Sequence, residues 1–174
     1  MEDVSFKYKI CILGEAAVGK TSLIYRFIED KFKEDYKSTL GVNLLTKEFE
    51  LENYGVVGLQ MWDLGGQDSF KRLRKMYLEG SRGALIVFDV TRRESFEKLD
   101  GWIQGFKEIR VDAPMFLIGN KIDLKDEIKV EEKEAQDFAK GEMDLILTSA
   151  KTGENVDKAF HELSKKFLKT STKE

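Results

Sequence analysis

Near the start of the chain, the stretch GEAAVGKTSL (14–23) sets a cation and a hydroxyl directly behind a run of small side chains. Small residues let successive backbone N–H groups point at one centre, and such a concavity binds an anion. The apolar, β-prone YKICIL precedes the stretch, and SLIYRFI, with helical spacing, follows it. A strand, a tight loop and a helix start therefore surround the anion, and the helix N-terminus adds about half a positive charge. The pattern Gly14-x-x-x-x-Gly19-Lys20-Thr21 is that of a loop that cradles a nucleotide triphosphate. Lys20 can reach the β- and γ-phosphates and the Thr21 hydroxyl can ligate Mg²⁺, while Glu15, Ala16, Ala17, Val18 and Ser22 complete the wall of the cradle.

Three further stretches follow apolar strands. In WDLGGQD, Asp63 ends its strand, where a carboxylate can hold Mg²⁺ through water. Gly65 and Gly66 give a backbone able to approach a γ-phosphate, and Gln67 can orient an attacking water. In NKID, Asp123 can accept from both the N1–H and the 2-amino group of guanine. Adenine offers neither donor, so this carboxylate discriminates by leaving a wrong base unpaired. Asn120 can tie the base loop to the phosphate loop and the Lys121 stem can cover the base face. In TSAKTGEN, the Ala150 N–H can donate to guanine O6, with Ser149 and Lys151 shaping the loop.

These loops need a frame to hold them at one end of a sheet. Apolar, β-rich runs occur at Tyr8–Leu13, Val56–Leu64, Ala84–Asp89, Met115–Gly119 and Leu145–Thr148. Helical patterns occupy Lys20–Ile28, Phe70–Glu79, Ser95–Ile109, Glu131–Lys140 and Val156–Leu168. VNLLTKEFELENYGVVGLQMWDL reads as two strands about an Asn-Tyr-Gly turn. The alternation predicts a three-layer α/β/α fold. Its sheet is six-stranded and mostly parallel, with one antiparallel strand from the hairpin. In such sheets ligands bind beyond the carboxyl ends of the strands, where all four loops lie. One domain, 1–174, accommodates the chain.

Composition narrows the function classes. The net charge of −3, with acids and bases interleaved, argues against nucleic acid as the main partner. No apolar run approaches the roughly 20 residues of a membrane span, and the chain starts with neither a signal peptide nor a myristoylation site. The single cysteine, Cys11, is expected to be buried and inert in a reducing interior. Trp102 reads as core, His161 as a packing or surface residue rather than a metal ligand, and EEKEAQDFAKGEMD as a solvated helix face.

Taken together the motifs resemble those of the Ras superfamily of small GTPases over nearly the whole chain. The Rab branch is nearest: STLGVN resembles its first switch, FDVTRRESFEKLDGWI the start of its third helix and TSAKTGENV its last base-binding loop. The resemblance implies that Thr39 binds Mg²⁺ and the γ-phosphate in the triphosphate state, that Phe32 packs on the guanine and that Tyr36 lies over the phosphates. It implies a monomeric GTP/GDP switch with slow, Mg²⁺-dependent hydrolysis, in which Gln67, Lys20 and Thr39 act in catalysis. It also implies effectors, exchange factors and GTPase-activating proteins as partners, a cytoplasmic location peripheral to membranes, and roles in trafficking or signalling. Departures stand beside it. Ala16 and Ala17 add methyl groups at the γ-phosphate end, where they bear on hydrolysis and on access by a partner's arginine. Gly65 is an Arf-like choice where Rab proteins carry alanine, and Leu44 replaces the phenylalanine of an aromatic triad whose other members are Trp62 and Tyr77. KTSTKE carries no cysteine, so no prenyl anchor is encoded. No arginine presents itself as an intrinsic finger; Arg72 and Arg74 lie beyond Gln67. The alternatives are a scaffold that holds nucleotide with little hydrolysis and, from another class, a P-loop kinase.

Overall fold

The computed structural model describes residues 3–33, 39, 41–65 and 71–171, with backbone alone at 71–73 and 171. Six strands form one sheet: β1 (Phe6–Leu13), β2 (Val42–Leu51), β3 (Gly55–Leu64), β4 (Gly83–Asp89), β5 (Met115–Asn120) and β6 (Asp144–Leu147). Their order across the sheet is β2-β3-β1-β4-β5-β6. Only the β2–β3 pair is antiparallel, with Val42 opposite Leu64 and Leu51 opposite Gly55. Its turn is the expected Asn-Tyr-Gly: Asn53 and Gly55 take positive φ and Tyr54 N–H donates to the Leu51 carbonyl at 2.9 Å. The remaining pairs are parallel, as the strand–helix alternation predicts.

Helices α1 (Lys20–Glu29), α2 (Lys71–Leu78), α3 (Arg93–Glu97), α4 (Leu99–Ile109), α5 (Glu132–Ala139) and α6 (Val156–Ser171) flank the sheet. The period-two alternation of strand side chains sorts the core into two layers. Tyr8, Ile10 and Ile12 of β1, with Leu85 and Val87 of β4, face α1 and α6. Cys11, Leu13, Ala84, Ile86 and Phe88 face the layer that holds Leu99, Trp102, Ile103 and Phe106 of α4. β4 is buried along its whole length, which is why GALIVFD is apolar up to its final acid.

Two expectations are corrected. The helical pattern at Ser95–Ile109 is two helices, because Lys98 leaves helical geometry at φ −89°, ψ 0° and the chain restarts at Leu99. The last strand is Asp144–Leu147 rather than Leu145–Thr148: its pairing with β5 runs from Asp144 opposite Phe116 to Leu147 opposite Gly119, and the Thr148 hydroxyl beyond it donates to Asn120. Cys11 is fully buried against Ser81, and burial pushes its thiol up to about 11, so it is inert as expected.

His161 packs against aromatic rings. Its ring stacks on Phe49 of β2 at 4.7 Å and meets Phe27 edge-on at 6.0 Å. Burial chiefly holds its pKa below the ordinary value; Asp157 and Glu162 oppose the shift, and Lys47 and Lys165 add to it. A lowered native pKa means that the unfolded chain takes the proton first. The His161 contribution to stability is then complete above about pH 6.5 and falls as pH drops below it. Urea unfolding at pH 7.5 and 5.5 should show a smaller loss of stability on acidification for His161→Phe than for the native chain. An equal loss in both would remove His161 from the acid response.

Candidate functional site

The site gathers at the carboxyl ends of β1, β3, β5 and β6. After β1, residues 14–19 arch over the N-terminus of α1. Gly19 sits at φ 100°, and a Cβ there would lie 2.3 Å from Asn120 Nδ2, so only glycine lets the two loops touch. Ala17 takes φ 65° without being glycine, a strained choice at a functional turn. Lys20 is 6% exposed and its ammonium donates to the Gly14 and Glu15 carbonyls at 2.7 and 2.8 Å. Burial lowers its pKa to about 8; Asp63 and Glu15 oppose the shift, and Arg74 and Arg92 deepen it. A buried cation with further cations nearby has the electrostatics of a receptor for a polyanion.

Thr21, Thr39 and Asp63 come from three separate segments and meet. Thr21 Oγ1 donates to Asp63 Oδ2 at 2.5 Å, Thr39 Oγ1 donates to the same oxygen at 3.1 Å, and the two hydroxyls lie 2.8 Å apart. Asp63 is fully buried, and its other oxygen, Oδ1, has no hydrogen-bond partner among the described residues. Hard oxygen donors with a spare buried carboxylate oxygen fit Mg²⁺, which keeps waters and phosphate oxygens as its remaining ligands. Among the described residues no cluster of three His, Cys, Asp or Glu competes for a metal. Gly65 follows; its N–H donates to the Gly41 carbonyl at 2.8 Å, and a Cβ would stand 2.6 Å from the Thr39 carbonyl. The glycine thus gives room for Thr39 to lie against the end of β3. Gly66, Gln67 and Tyr36 lie outside the described residues.

Asn120 does tie the base loop to the phosphate loop. Its Nδ2 donates to the Val18 carbonyl at 3.0 Å, and its Oδ1 accepts from Thr148 Oγ1 and from the Ala150 N–H at 3.0 and 3.2 Å. The Ala150 N–H assigned to guanine O6 is therefore shared with Asn120. The Ser149 hydroxyl donates to Asp123 Oδ1 at 2.8 Å. Lys121, at φ 72°, donates to the Ala17 carbonyl at 2.9 Å and pairs with Asp89 Oδ2 at 2.9 Å. Lys151 is exposed, Ser22 stands half-buried on the first turn of α1, and Phe32 packs against the core layer beneath α1.

Several residues here escaped the sequence reading. Asp89 anchors Lys121, and its signal was present: like Asp63, it is an acid closing an apolar strand. Trp102 is core as expected, yet its Nε1 donates to Glu15 Oε1 at 2.9 Å, and Arg74 stacks its guanidinium 3.9 Å from the ring centroid. Arg92 donates to the Ala16 carbonyl at 2.9 Å. Arg26 of α1 reaches the Ala150 and Lys151 carbonyls. Of the aromatic triad, Trp62 and Tyr77 are in contact at 5.7 Å, while Leu44 stands opposite Trp62 and is exposed.

Strand order, phosphate loop and base loop together define a P-loop α/β protein built for a guanine nucleotide with Mg²⁺. A sequence profile of the Ras family matches residues 9–169. The chain is 40% identical over 168 residues to the Ypt/Rab-type GTPase YPT7 of Saccharomyces cerevisiae, covering 92% of this chain and 81% of that one. It is 36% identical over 167 residues to the human Ras-related protein Rab-22A (93% and 84%) and 38% identical over 169 residues to the GTP-binding protein ypt5 of Schizosaccharomyces pombe (94% and 79%). The chain belongs to the Ras family, on its Rab side. It is a small GTPase switch that uses GTP, GDP and Mg²⁺, and as such works with regulators and effectors. No helix among the described residues is long and apolar enough to cross a membrane.

Proposed function

We propose that the GTPase cycle runs at the site just described, on one G domain spanning the chain, with each residue in a definite role. The convergence of Thr21, Thr39 and Asp63 beside Lys20 carries this reading, because three oxygen-bearing side chains from separate segments share one spot where the buried Asp63 Oδ1 has no partner among the described residues. Lys20 and the amides of 15–19 hold the phosphates, Asp123 and the Ala150 N–H read the guanine, and Ser149, Lys151 and Asn120 shape the loops around it. Thr21, Thr39 and the Asp63 carboxylate would hold Mg²⁺, which when bound neutralises charge on the β- and γ-phosphates. Gly66 and Thr39 sense the γ-phosphate, Phe32 and Tyr36 flank the nucleotide, and Gln67 holds the attacking water in line. The exposed Leu44 changes the surface beside Trp62 and Tyr77, so the effector set differs from that of triad-bearing relatives. Work in trafficking or signalling at the cytoplasmic face of a membrane, through partners, fits this family.

A single-turnover assay on GTP-loaded protein tests the cycle. Phosphate should pass to water, slowly. Gln67→Leu should slow hydrolysis at least about tenfold, roughly 1.4 kcal/mol of barrier, with GTP affinity nearly unchanged, because an alkyl group cannot both accept from the water and donate to phosphate. If Gln67→Leu and Ala16→Gly both hydrolyse at the native rate, another group positions the water. If the native chain holds GTP without turnover, the scaffold reading replaces this one; transfer to an acceptor other than water would mark a kinase.

A further inference from the structure

The loop that carries Ser149, Ala150 and Lys151 belongs to no strand or helix, so its carbonyls must find donors elsewhere. The Gly153 N–H takes the Ser149 carbonyl, and Arg26 takes the next two. Its Nε donates to the Ala150 carbonyl at 2.8 Å and its Nη2 to the Lys151 carbonyl at 2.5 Å. Its Nη1 donates to the backbone carbonyl and the Oδ1 of Asp30, both at 3.1 Å. The guanidinium is a rigid planar fork, so two successive carbonyls gripped by one fork fix two successive peptide planes. The Arg26 side chain is 14% exposed, and a Cβ at Gly153 would lie 3.5 Å from its Cδ, so the loop closes over the stem. The same helix begins at the phosphate cradle: Lys20 and Arg26 share α1, about 9 Å apart along its axis at 1.5 Å per residue.

We propose that Arg26 is a positioning residue that sets how long the protein holds guanine nucleotide. It clamps the base-reading loop to the helix whose other end bears the phosphate cradle. Its donors go to the Ala150 and Lys151 carbonyls and to Asp30, about 9 Å along α1 from Lys20, so its effect falls on nucleotide release and not on hydrolysis. The inference rests on the proposed placement of guanine against Asp123 and Ala150. Lysine at this position restores charge and one point donor but not the fork, so it recovers only part of the hold.

The test is the release rate of a fluorescent GDP from the Mg²⁺-loaded full chain, with single-turnover GTP hydrolysis measured in parallel. Arg26→Ala should release GDP about tenfold faster or more, with Arg26→Lys between it and the native chain and hydrolysis of bound GTP within about twofold of native. Arg26→Gln, which keeps a planar donor, is the second variant should alanine disturb folding; it too should release faster than native. Native release rates in the variants overturn the inference, as does a hydrolysis rate that falls as release quickens, because a clamp on the base loop alone would spare the phosphate chemistry. Inosine diphosphate lacks the 2-amino donor and tests the underlying placement separately. If the native chain holds it as tightly as GDP, Asp123 does not read the 2-amino group and the proposed placement of guanine fails. If GDP is preferred and Arg26 is without effect, the clamp alone is wrong.

Discussion

Lys20→Met should cost the protein its hold on GTP and Mg²⁺ by about two to four orders of magnitude while leaving a folded chain. Methionine fills the buried tunnel of the lysine stem but brings no ammonium. That ammonium donates to the Gly14 and Glu15 carbonyls, in a setting that already lowers its pKa to about 8. Removing a cation that burial disfavours relieves part of its own cost, so the empty fold loses little. With a triphosphate present the balance reverses, because two charge-assisted bonds of roughly 1.5–3 kcal/mol each disappear and the phosphate charge loses its buried counterion. Equilibrium binding of a fluorescent GTP analogue, beside thermal unfolding of the empty protein, measures both halves. Native affinity in Lys20→Met would place the cradle elsewhere, and an unfolded variant would show that the ammonium holds the loop itself.

The parts of this molecule that were legible in the sequence are those whose chemistry is local. Gly14 through Thr21 must be contiguous to form one concavity, and each of Asp63, Asn120 and Ser149 must close or follow a strand to reach the same end of the sheet. The apolar runs likewise announced a sheet covered on both faces, and the structure places Ile10 and Ile12 in one layer and Cys11 and Leu13 in the other. The unread parts are pairings between distant positions. Arg26 lies in an apolar helical run, SLIYRFI, and nothing beside it says that its partners are 124 and 125 residues away. Glu15 and Trp102 each look ordinary alone; together they bind the phosphate loop to α4, and Arg74 ties α2 to the same ring. Arg92 was hidden in the same way, in a charged stretch where any arginine would pass as solvated. The break at Lys98 had no glycine or proline to announce it. The departures flagged from the family pattern proved informative: Gly65 is where a methyl group would strike the Thr39 carbonyl.

The choice of base should invert when Asp123 becomes asparagine. One oxygen of this carboxylate accepts from the Ser149 hydroxyl at 2.8 Å. A carboxylate offers about four acceptor sites, so that bond leaves capacity for the N1–H and 2-amino donors of guanine. In Asp123→Asn the amide oxygen can keep the Ser149 bond, which turns the amide NH₂ to the side where the second carboxylate oxygen stood. A donor there opposes the two donors of guanine and suits the carbonyl that xanthine carries at the same ring position. Losing two bonds to a charged acceptor, at roughly 1.5–3 kcal/mol each, predicts a fall in GTP affinity of about two to four orders of magnitude. XTP affinity should rise above that of GTP in the same variant. The phosphate cradle is untouched, so Mg²⁺ dependence and, once XTP is bound, hydrolysis should persist. Competition binding among GTP, XTP and ATP decides the matter. The native chain should prefer GTP over both others, and a native chain that takes ATP as readily would mean the loop at 120–123 does not read the base. A variant that keeps its preference for GTP would leave Ala150 and its neighbours as the readers, with Asp123 serving only to hold Ser149 in place.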